Sequence, residues 1–473
     1  MNTGPRGPRG PRGPTALFAV LASGLVALPL YSQAPVPRTD STGKAISFDF
    51  PGLKIGVAEY DEGPTGTTVF YFPRGVKAAA DVRGGAPGTL NSDAVRLGYE
   101  SAMMQAVVFS GGSWYGLAAA TGVAEAIKKE KEQQGEADFI AGVLGGIIYD
   151  VGARRFSRVV PDRELAAAAL HSARPGWFPL GARGAGRFAM QGIYFVLDQT
   201  AENGSRWPHS GQGGAFRQVG ATKIAVFTVV NALGTIVGRD GSVLRCSRND
   251  ATKPCPSIAT MMADHLRTRG TLGAQDRARD SMPGPSGNTT LTLVVTNQKL
   301  PWWALQRMAM QVHGSMSRAI QPFATEYDGD ILYAVTTDEV ENDKLSHIDL
   351  AVLASEVAWD AVLASVPDLP PPAASTPVPA DAAMRRDLPG SWQFADGTRL
   401  RITADHDRWS AVFSGKFRVY ADTGRSYPLL PIERDRVVID GPARDLIQLE
   451  RANGRVSLTL NPGPWSQRAE RVP

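Results

Sequence analysis

A proline-rich segment divides the chain into two parts. Residues 366–383 (VPDLPPPAASTPVPADAA) contain six prolines. Because proline fixes φ and has no backbone N–H, such a run forms a stiff, extended linker instead of a helix or a central strand. We therefore expect a large domain over residues 48–365 and a separate small domain over residues 388–473.

The segment after the linker has the pattern of a small antiparallel β domain. Polar and apolar residues alternate in TRLRITA, KFRVYA and DRVVID, as in strands with one buried face. Asn453-Gly454 stands between two alternating runs in DLIQLERANGRVSLTL, which is a strong hairpin signal. This domain carries no recognisable catalytic group of residues.

The region before the linker has the pattern of an α/β domain. Strand-like runs, GLKIGVAEY and TTVFYFP, precede VVFSGGSWYGLAAATGVAEAIKKEKEQQ, which is typical of a strand, a tight turn and a helix. Further strands are expected at 223–234 and 290–297. Apolar residues at 305, 308, 309, 312, 316 and 320 predict a helix with one buried face.

The first 34 residues are typical of a secretory signal. Arginines at 6, 9 and 12 precede the apolar run ALFAVLASGLVALPL, and Ser-Gln-Ala at 32–34 is a suitable cleavage site. We therefore expect a periplasmic or secreted protein with no membrane contact beyond this segment. Pro35 is unfavourable directly after a cleavage site, so an uncleaved anchor stays open.

Charge and cysteine content exclude several classes of function. The chain has 50 basic and 46 acidic residues, and three of the bases lie in the signal segment, so we expect no nucleic-acid partner. Cys246 and Cys255 could close a disulfide in an oxidising compartment. Two cysteines and six scattered histidines give no zinc spacing, so we expect no metal and no cofactor.

The segment SGNTTLTLVVTN, Ser286 to Asn297, is the most informative one chemically. A Gly/Pro/Ser stretch ends at Asn288, and a strand opens with Thr289 and Thr290. One interpretation is an ordinary junction, since threonine suits strands. The other is self-cleavage, in which the Thr289 hydroxyl attacks the preceding carbonyl and hydrolysis frees an N-terminal threonine. Its α-amine, with a pKa of about 7.7–8.0, could then act as a base.

Six segments in order carry a resemblance to a known family: GTTVFYFPRGVKAAADVRGGAPGT, VVFSGGSWYGL, IIYD, VVNALG, NTTLTLVVTN and RAIQPFATEYDGDILYAVTT. Together they resemble the self-processing aminopeptidases that include β-peptidyl aminopeptidase, L-aminopeptidase/D-esterase and nylon-oligomer hydrolase. The resemblance implies a four-layer αββα sandwich like that of N-terminal-nucleophile hydrolases. It also implies autoproteolysis between residues 288 and 289, and a homo-oligomer of processed two-chain units.

The resemblance assigns roles to individual residues. Thr289 matches the nucleophile after the scissile Asn288, and Asn231 matches the asparagine whose amide helps to form the oxyanion hole. The acidic pair of the DGD sequence matches the groups that orient the nucleophile and its amine, and Tyr149 matches a tyrosine that lines the site. These orienting residues are Asp328 and Asp330, which we expect on one side of a strand. Each assignment has a structural alternative. Asn231 could be a turn residue at a strand end, the two aspartates could belong to a solvent-exposed Asp-Gly turn, and Tyr149 could be a buried aromatic residue.

One departure from the family pattern concerns a lysine. Many relatives have a lysine after a glycine-rich loop, whose equivalent here is GARGAGRFAMQG at 181–192, and Ile193 occupies the lysine position. Lys223 is a candidate replacement. Ser113 in the strand-turn-helix segment is not expected to be a nucleophile, because it lacks the spacing and the partners of a triad, and His313 is expected to be packed.

The sequence therefore predicts an exported N-terminal-threonine aminopeptidase or amidohydrolase that cleaves aminoacyl or β/ω-aminoacyl amides of small peptides. Two alternatives stay open. One is acyl transfer of the ornithine acetyltransferase type, and the other is a periplasmic binding protein on a catalytically degenerate scaffold.

Overall fold

The computed structural model describes residues 34–40, 42–96, 103–151, 157–195, 209–246, 254–271, 288–367, 376–406, 408–415, 424–440 and 445–473. The elements below belong to one compact unit, Pro35–Pro473. The expected signal segment before Ala34 and the SMPGPSG run before Asn288 lie outside the described residues. Within the described part, no helix has the length and hydropathy needed to cross a bilayer.

The large domain alternates strands and helices. Its helices are α1 (Ser92–Arg96), α2 (Leu117–Gln133), α3 (Arg163–His171), α4 (Ile258–Thr271), α5 (Trp302–Ser315) and α6 (His347–Ala364). Its strands are β1 (Ala45–Ser47), β2 (Lys54–Tyr60), β3 (Thr65–Val82), β4 (Thr89–Leu90), β5 (Met103–Ser110), β6 (Val143–Ile147), β7 (Arg174–Pro175), β8 (Trp177–Pro179), β9 (Gln212–Val219), β10 (Thr222–Asn231), β11 (Thr235–Ile236), β12 (Thr289–Gln298), β13 (Ile320–Gln321) and β14 (Ile331–Val340).

A 10-stranded sheet organises this domain in the order β4-β6-β5-β3-β14-β12-β10-β9, with β2 beside β3 and β7 beside β2. Strand β3 is long enough to pair with different neighbours along its two parts. Its first part pairs with β2 and β5, and residues Lys77–Val82 pair with β14. The register shifts between Tyr71 and Val76, where Pro73 has no N–H to donate and Gly75 has a φ of 74°. The sheet can therefore bend here and form two layers.

Three separate apolar cores show that these layers are stacked. Successive side chains of a strand point to opposite faces, and Phe227 of β10 enters the central core whereas Val226 enters the core beneath α5 and α6. On the other side, Phe109 of β5 enters the central core whereas Val108 enters the core beneath α2 and α3. The order is helices, sheet, sheet, helices, so the predicted four-layer αββα sandwich is confirmed.

The C-terminal domain is a closed antiparallel barrel. Its strands are β15 (Gly390–Phe394), β16 (Arg399–Asp405), β17 (Arg408–Ser414), β18 (Ser426–Glu433), β19 (Arg436–Ile439), β20 (Leu446–Ala452), β21 (Arg455–Leu460) and β22 (Gln467–Val472), and they pair in sequence order. Large apolar side chains such as Trp392 fill the interior. The hairpin predicted at Asn453-Gly454 joins β20 to β21, and both residues have positive φ values, 51° and 73°.

A short helix, α7 (Ala382–Asp387), precedes the barrel. The Asp381 carboxylate caps it by accepting a hydrogen bond from the Met384 N–H at 2.7 Å. The last two residues of the expected linker, 382 and 383, belong to this helix. Since Asp381 caps the first turn and no proline follows it there, this end of the predicted linker is helical instead of extended.

Candidate active site

The peptide bond between Asn288 and Thr289 lies at one end of two neighbouring strands, where β10 ends and β12 begins. Thr289 is the first residue of β12, and the antiparallel register places it opposite Asn231, the last residue of β10. Asn288 and Thr289 are completely buried. Asn288 also forms an isolated parallel bridge with Asp328. The fold thus brings Asn231, Thr289 and Asp328, which lie on separate segments of the sequence, to one point.

The Asn288 carbonyl accepts two hydrogen bonds in the uncut chain. The Thr289 hydroxyl donates to the Asn288 oxygen at 2.6 Å, and the Gly329 N–H donates to the same oxygen at 2.6 Å. A backbone donor at this distance polarises the carbonyl and would stabilise negative charge developing on the oxygen. A hydroxyl group and a backbone N–H therefore converge on the carbonyl of the peptide bond between residues 288 and 289.

Gly329 also contacts this carbonyl, although no motif in the sequence pointed to it. A Cβ at this position would lie 2.6 Å from the Thr289 hydroxyl oxygen and 2.7 Å from the Ala86 carbonyl oxygen. Only glycine lets the chain approach the Thr289 hydroxyl this closely. Gly329 separates the two aspartates in the sequence, but the close approach depends on tertiary structure.

The glycine-rich segment DVRGGAPGT packs directly beneath this turn. The Ala86 N–H donates to the Asp328 carbonyl at 2.9 Å, and the Arg83 N–H donates to the Asp330 carbonyl at 3.0 Å. A Cβ on Gly84 or Gly85 would collide with the backbone of residues 326–330. The segment is therefore a support for the Asp-Gly-Asp turn, a role that its composition alone did not reveal.

The two aspartates are buried and held by backbone N–H groups. Asp330 accepts from the N–H of Thr290 at 2.5 Å and from the N–H of Ala324 at 3.0 Å. Asp328 accepts from the Leu233 N–H at 3.2 Å and from the backbone and hydroxyl of Thr325 at 2.9 and 2.7 Å. The solvent-exposed turn is excluded. Both residues precede β14, so the expectation that they share one side of a strand was wrong. The turn continues to Asp330 because the Asp330 carboxylate accepts hydrogen bonds from Ala324 and Thr290.

Burial changes the protonation of this pair. Desolvation raises the pKa of Asp328 and raises the pKa of Asp330 well above its ordinary value. The negative charge of Asp328 raises the pKa of Asp330 further. The pair therefore holds a proton more strongly than isolated aspartates do, and a nearby positive charge would relieve the repulsion between them.

Asn231 is fixed by contacts at both ends of its side-chain amide. Its Oδ1 accepts from the Met190 N–H at 3.1 Å, and its Nδ2 donates to the Tyr149 carbonyl at 3.2 Å. The residue is completely buried, so it is not a surface turn residue. Because a backbone N–H can only donate, Met190 determines which end of the amide is oxygen and which is nitrogen.

Aromatic residues surround this part of the site. Tyr149 is half-buried and lies edge-on to Trp114, with ring centroids 6.0 Å apart. Trp114, Tyr115 and Tyr327 are 55%, 70% and 51% exposed. Tyr327 belongs to the Asp-Gly-Asp turn, and its carbonyl accepts from the Asn288 N–H at 3.1 Å. Exposed rings on these segments provide apolar surface at which a ligand can pack.

Ser113 has a structural role. Its hydroxyl accepts from the Val151 N–H at 3.1 Å, and the preceding Gly112 N–H donates to the Asp150 carboxylate at 2.7 Å. Gly112 has a φ of 89° and Ser113 has a φ of 53°, as in a tight turn. These contacts connect the turn to the segment that carries Tyr149. The geometry agrees with a turn and gives Ser113 no triad.

Lys223 does not replace the missing lysine. It lies near the start of β10, eight positions from Asn231, which is about 26 Å along a strand. Its Nζ is 2.6 Å from the Asp49 carboxylate. Ile193 lies in a 3₁₀ turn, Ile193–Phe195. His313 is buried and its Nδ1 is 3.0 Å from the Asp81 carboxylate, as expected for a packed histidine.

The two cysteines form a disulfide outside the active site. Cys246 and Cys255 are bonded, with their Cα atoms 5.8 Å apart. They pack beside the small cluster of Phe195, Val243 and Met261. Among the residues that the structure describes, no group of three or more histidine, cysteine or acidic side chains is arranged to bind a metal ion.

Comparison with known proteins identifies relatives of the large domain. The family model described as peptidase family S58 matches residues 45–369. A 6-aminohexanoate-oligomer endohydrolase of Paenarthrobacter ureafaciens is 38% identical over 346 residues, which cover 70% of this chain and 88% of that protein. The barrel lies beyond the matched family region.

Solved structures with similar chains were also found. A β-aminopeptidase of Burkholderia sp. has a TM-score of 0.45 and 15% identity, covering 68% of this chain and 87% of its own. An L-aminopeptidase/D-Ala-esterase/amidase of Ochrobactrum anthropi has a TM-score of 0.45 and 15% identity, covering 69% of this chain and 87% of its own.

Proposed function

The chain belongs to peptidase family S58, as its motifs predicted, and we propose that it activates itself by cleaving the bond between Asn288 and Thr289. It is a hydrolase of peptide or amide bonds. In the proposed mechanism, Thr289 becomes the N-terminal residue of the second chain and the nucleophile toward substrates. The observation that carries the proposal is the pair of hydrogen bonds from the Thr289 hydroxyl and the Gly329 N–H to one carbonyl.

The proposed self-cleavage has two steps. The Thr289 Oγ1 attacks the carbonyl carbon of Asn288, and the Gly329 N–H stabilises the oxyanion. The C–N bond breaks, the nitrogen keeps its electron pair and takes the hydroxyl proton, and an ester remains. Water then hydrolyses the ester, which leaves the Asn288 carboxylate and a free Thr289 with its hydroxyl and α-amine.

The new α-amine supplies the base for turnover. When this amine is protonated, its positive charge lies next to Thr290, whose N–H donates to Asp330 at 2.5 Å. A positive charge there offsets the repulsion between the two buried carboxylates, so Asp328 and Asp330 hold the amine in place. The neutral amine accepts the hydroxyl proton as Thr289 attacks a substrate carbonyl. The Asn231 amide stabilises the resulting oxyanion, Tyr149 borders the acyl group, and water releases the acyl product.

We propose that the substrates are small amides with apolar acyl groups, including β- and ω-aminoacyl amides. The exposed rings of Trp114, Tyr115 and Tyr327 provide surface for a methylene chain. The name of the relative from Paenarthrobacter ureafaciens specifies 6-aminohexanoate oligomers, which consist of such chains joined by amide bonds. The mechanism requires no metal and no cofactor.

We also propose export and a homo-oligomer of two-chain units. The signal-like N-terminal sequence and the disulfide of Cys246 and Cys255 both suit an oxidising compartment. Cell fractionation with an intact-mass measurement tests the first point, since a protein retained in the cytoplasm with its N-terminus intact would contradict it. Sedimentation tests the second.

The decisive experiment compares the intact masses of wild-type protein, Thr289→Ala and Thr289→Ser. We expect two chains in the wild type, with the second starting at Thr289, one chain in the alanine variant and two in the serine variant. The serine variant is the matched control because it keeps the hydroxyl. One uncut chain in all three would contradict the proposal.

Turnover separates the hydrolase from its alternatives. Processed protein should release free acid from a panel of 6-aminohexanoate oligomers and of β-aminoacyl and L-aminoacyl amides. Transfer of the acyl group to an added amine in place of water would favour an acyltransferase. Binding without either reaction would favour a degenerate binding protein.

A further inference from the structure

The barrel inserts one tryptophan into the large domain. Trp465 lies in the loop between β21 and β22, yet it is only 6% exposed. The apolar cluster that buries it consists of Ala182, Phe188 and Met190, none of which belongs to the barrel. Its ring stacks on the His209 ring with centroids 3.9 Å apart and planes 8° from parallel. Trp465 is therefore packed as a core residue of the neighbouring domain.

The loop that presents Trp465 is held by its own hydrogen bonds. The Ser466 hydroxyl donates to the Gly463 carbonyl at 2.6 Å, and the Gly463 N–H donates to that hydroxyl oxygen at 2.7 Å. At the start of the loop, the Asn461 Oδ1 accepts from the Leu446 N–H at 3.0 Å. A loop fixed in this way loses little conformational entropy when it docks.

Arg187 of the large domain also binds this loop. Its Nε donates to the Pro464 carbonyl at 3.1 Å, and its guanidinium forms ion pairs with Glu59 and Asp61. Glu59 is 1% exposed and accepts further hydrogen bonds from the Gly184 N–H and from Arg183. Through Arg187 and Glu59, the loop is thereby connected to the glycine-rich segment 181–192.

The residues beneath Trp465 contact the active site directly. Met190 bridges to His209, and the Ser210 N–H donates to the Ala189 carbonyl at 3.1 Å. The Met190 N–H in turn donates to Asn231 Oδ1 at 3.1 Å. Only one residue therefore separates the barrel side chain from the amide that is assigned to the oxyanion hole.

We propose that the barrel is a positioning domain for the active site and that Trp465 is its positioning residue. Trp465 packs against Phe188, Met190 and His209. This packing holds the Met190 N–H in its hydrogen bond with Asn231 Oδ1, and the Asn231 amide nitrogen therefore stays directed toward the oxyanion. If the segment loosens, the amide can rotate and present its oxygen where a donor is needed. The inference rests on the proposed function, because it depends on the role of Asn231.

The experiment uses the full-length protein with substitutions at one position. Trp465→Ala removes the ring, Trp465→Phe keeps an aromatic ring that can stack, and Trp465→Leu keeps apolar volume without the stack. The matched control is Arg158→Ala, which removes a peripheral contact with the barrel, the 3.5 Å hydrogen bond from Arg158 to the Asp396 carbonyl. The readouts are hydrogen exchange of the backbone amides at 188–191 and the separate values of kcat and KM.

We expect Trp465→Ala to lower kcat at least tenfold with KM within about threefold, while the amide of Met190 exchanges at least tenfold faster. Trp465→Phe should recover most of both values, Trp465→Leu should recover less, and Arg158→Ala should match the wild type. In an Asn231→Ala background, Trp465→Ala should cause little further loss of kcat, because its effect acts through the missing amide.

Two results would overturn the inference. One is unchanged exchange and kcat in both Trp465→Ala and Trp465→Leu. The other is a loss of kcat that is equally large with and without Asn231, which would mean that Trp465 only attaches the barrel. Exchange does not require turnover, so an inactive, uncut wild type would refute the proposed function while exchange at 188–191 still decides whether Trp465 holds this segment.

Discussion

Gly329→Ala should block self-cleavage while the protein stays folded. An added Cβ would lie 2.6 Å from the Thr289 hydroxyl oxygen, and ordinary contact begins at 3.4 Å, so the two atoms must separate by about 0.8 Å. A shift of this size disturbs both the nucleophile and the Gly329 N–H. A misplacement near 1 Å, or the loss of one oxyanion donor, each costs roughly 100-fold in rate. We therefore expect self-cleavage to slow at least about 100-fold, or about 2.7 kcal/mol in activation free energy.

The assay follows the appearance of the chain that begins at Thr289 by intact mass after rapid purification. Gly314→Ala is the matched control, because an added Cβ there would meet only the Arg83 guanidinium, at an ordinary 3.5 Å. Gly314 lies in α5, where alanine is the better helix former, so this variant should be processed at the wild-type rate. Thermal unfolding verifies that Gly329→Ala is folded. Processing of folded Gly329→Ala at the wild-type rate would refute the role of the Gly329 N–H.

Three further predictions concern stability. In uncut Thr289→Ala protein, the raised pKa of Asp330 means that this carboxyl favours folding below the unfolded pKa of about 3.9, and its contribution is lost as the pH rises through the raised pKa. Adding Asp328→Asn should therefore reduce the fall in Tm between about pH 4 and 7. An equal fall in both proteins would contradict the coupling between the two carboxyls. In the barrel, Arg386 and Arg451 lower the pKa of Asp387 to about 2, so Asp387→Asn should lower the Tm at neutral pH and this difference should shrink as the pH falls toward 2; a difference independent of pH would exclude the ion pairs as its cause. Phe227 is completely buried with its ring centroid 4.8 Å from that of Phe178 and 5.2 Å from that of Phe70, so Phe227→Ala should lower the free energy of unfolding by about 3–5 kcal/mol, measured by denaturant titration with Phe227→Leu as the milder control.

Elements specified by local pattern could be predicted from the sequence. The alternating runs TRLRITA and DRVVID predicted β16 and β19, and Asn453-Gly454 predicted the hairpin of β20 and β21, whereas the predicted strand KFRVYA lies outside the described residues. Apolar periodicity located α5, but this helix ends at Ser315 and Ile320, the last residue of the predicted stripe, lies in β13. The start of β12 at Thr289 was also expected, since the preceding Gly/Pro/Ser stretch ends at Asn288. In each case the turn chemistry or the spacing of apolar residues is sufficient, because the signal lies within about ten neighbouring residues.

Features that depend on long-range contact could not be predicted in this way. The bend in β3 was hidden, because TTVFYFPRGVKAAADV has strand-like residues on both sides of Pro73 and only the pairing partners reveal two layers. The glycines at 84 and 85 permit close approach of the Asp-Gly-Asp turn, which lies about 240 residues away in the sequence. The burial of Trp465 in another domain likewise follows only from tertiary structure.

The proposed mechanism assigns different oxyanion donors to the two reactions of one nucleophile. In the uncut chain, the carbonyl that Thr289 attacks precedes it and is held by the Gly329 N–H. A substrate carbonyl arrives after this bond has been cut, and the amide assigned to it is that of Asn231, the residue opposite Thr289 on the neighbouring strand. Maturation should therefore depend on the turn between the aspartates, and turnover should depend on the segment between Asn231 and the barrel. If both proposals hold, the barrel should affect turnover more than self-cleavage, because Trp465 packs against Met190, whose N–H donates to Asn231.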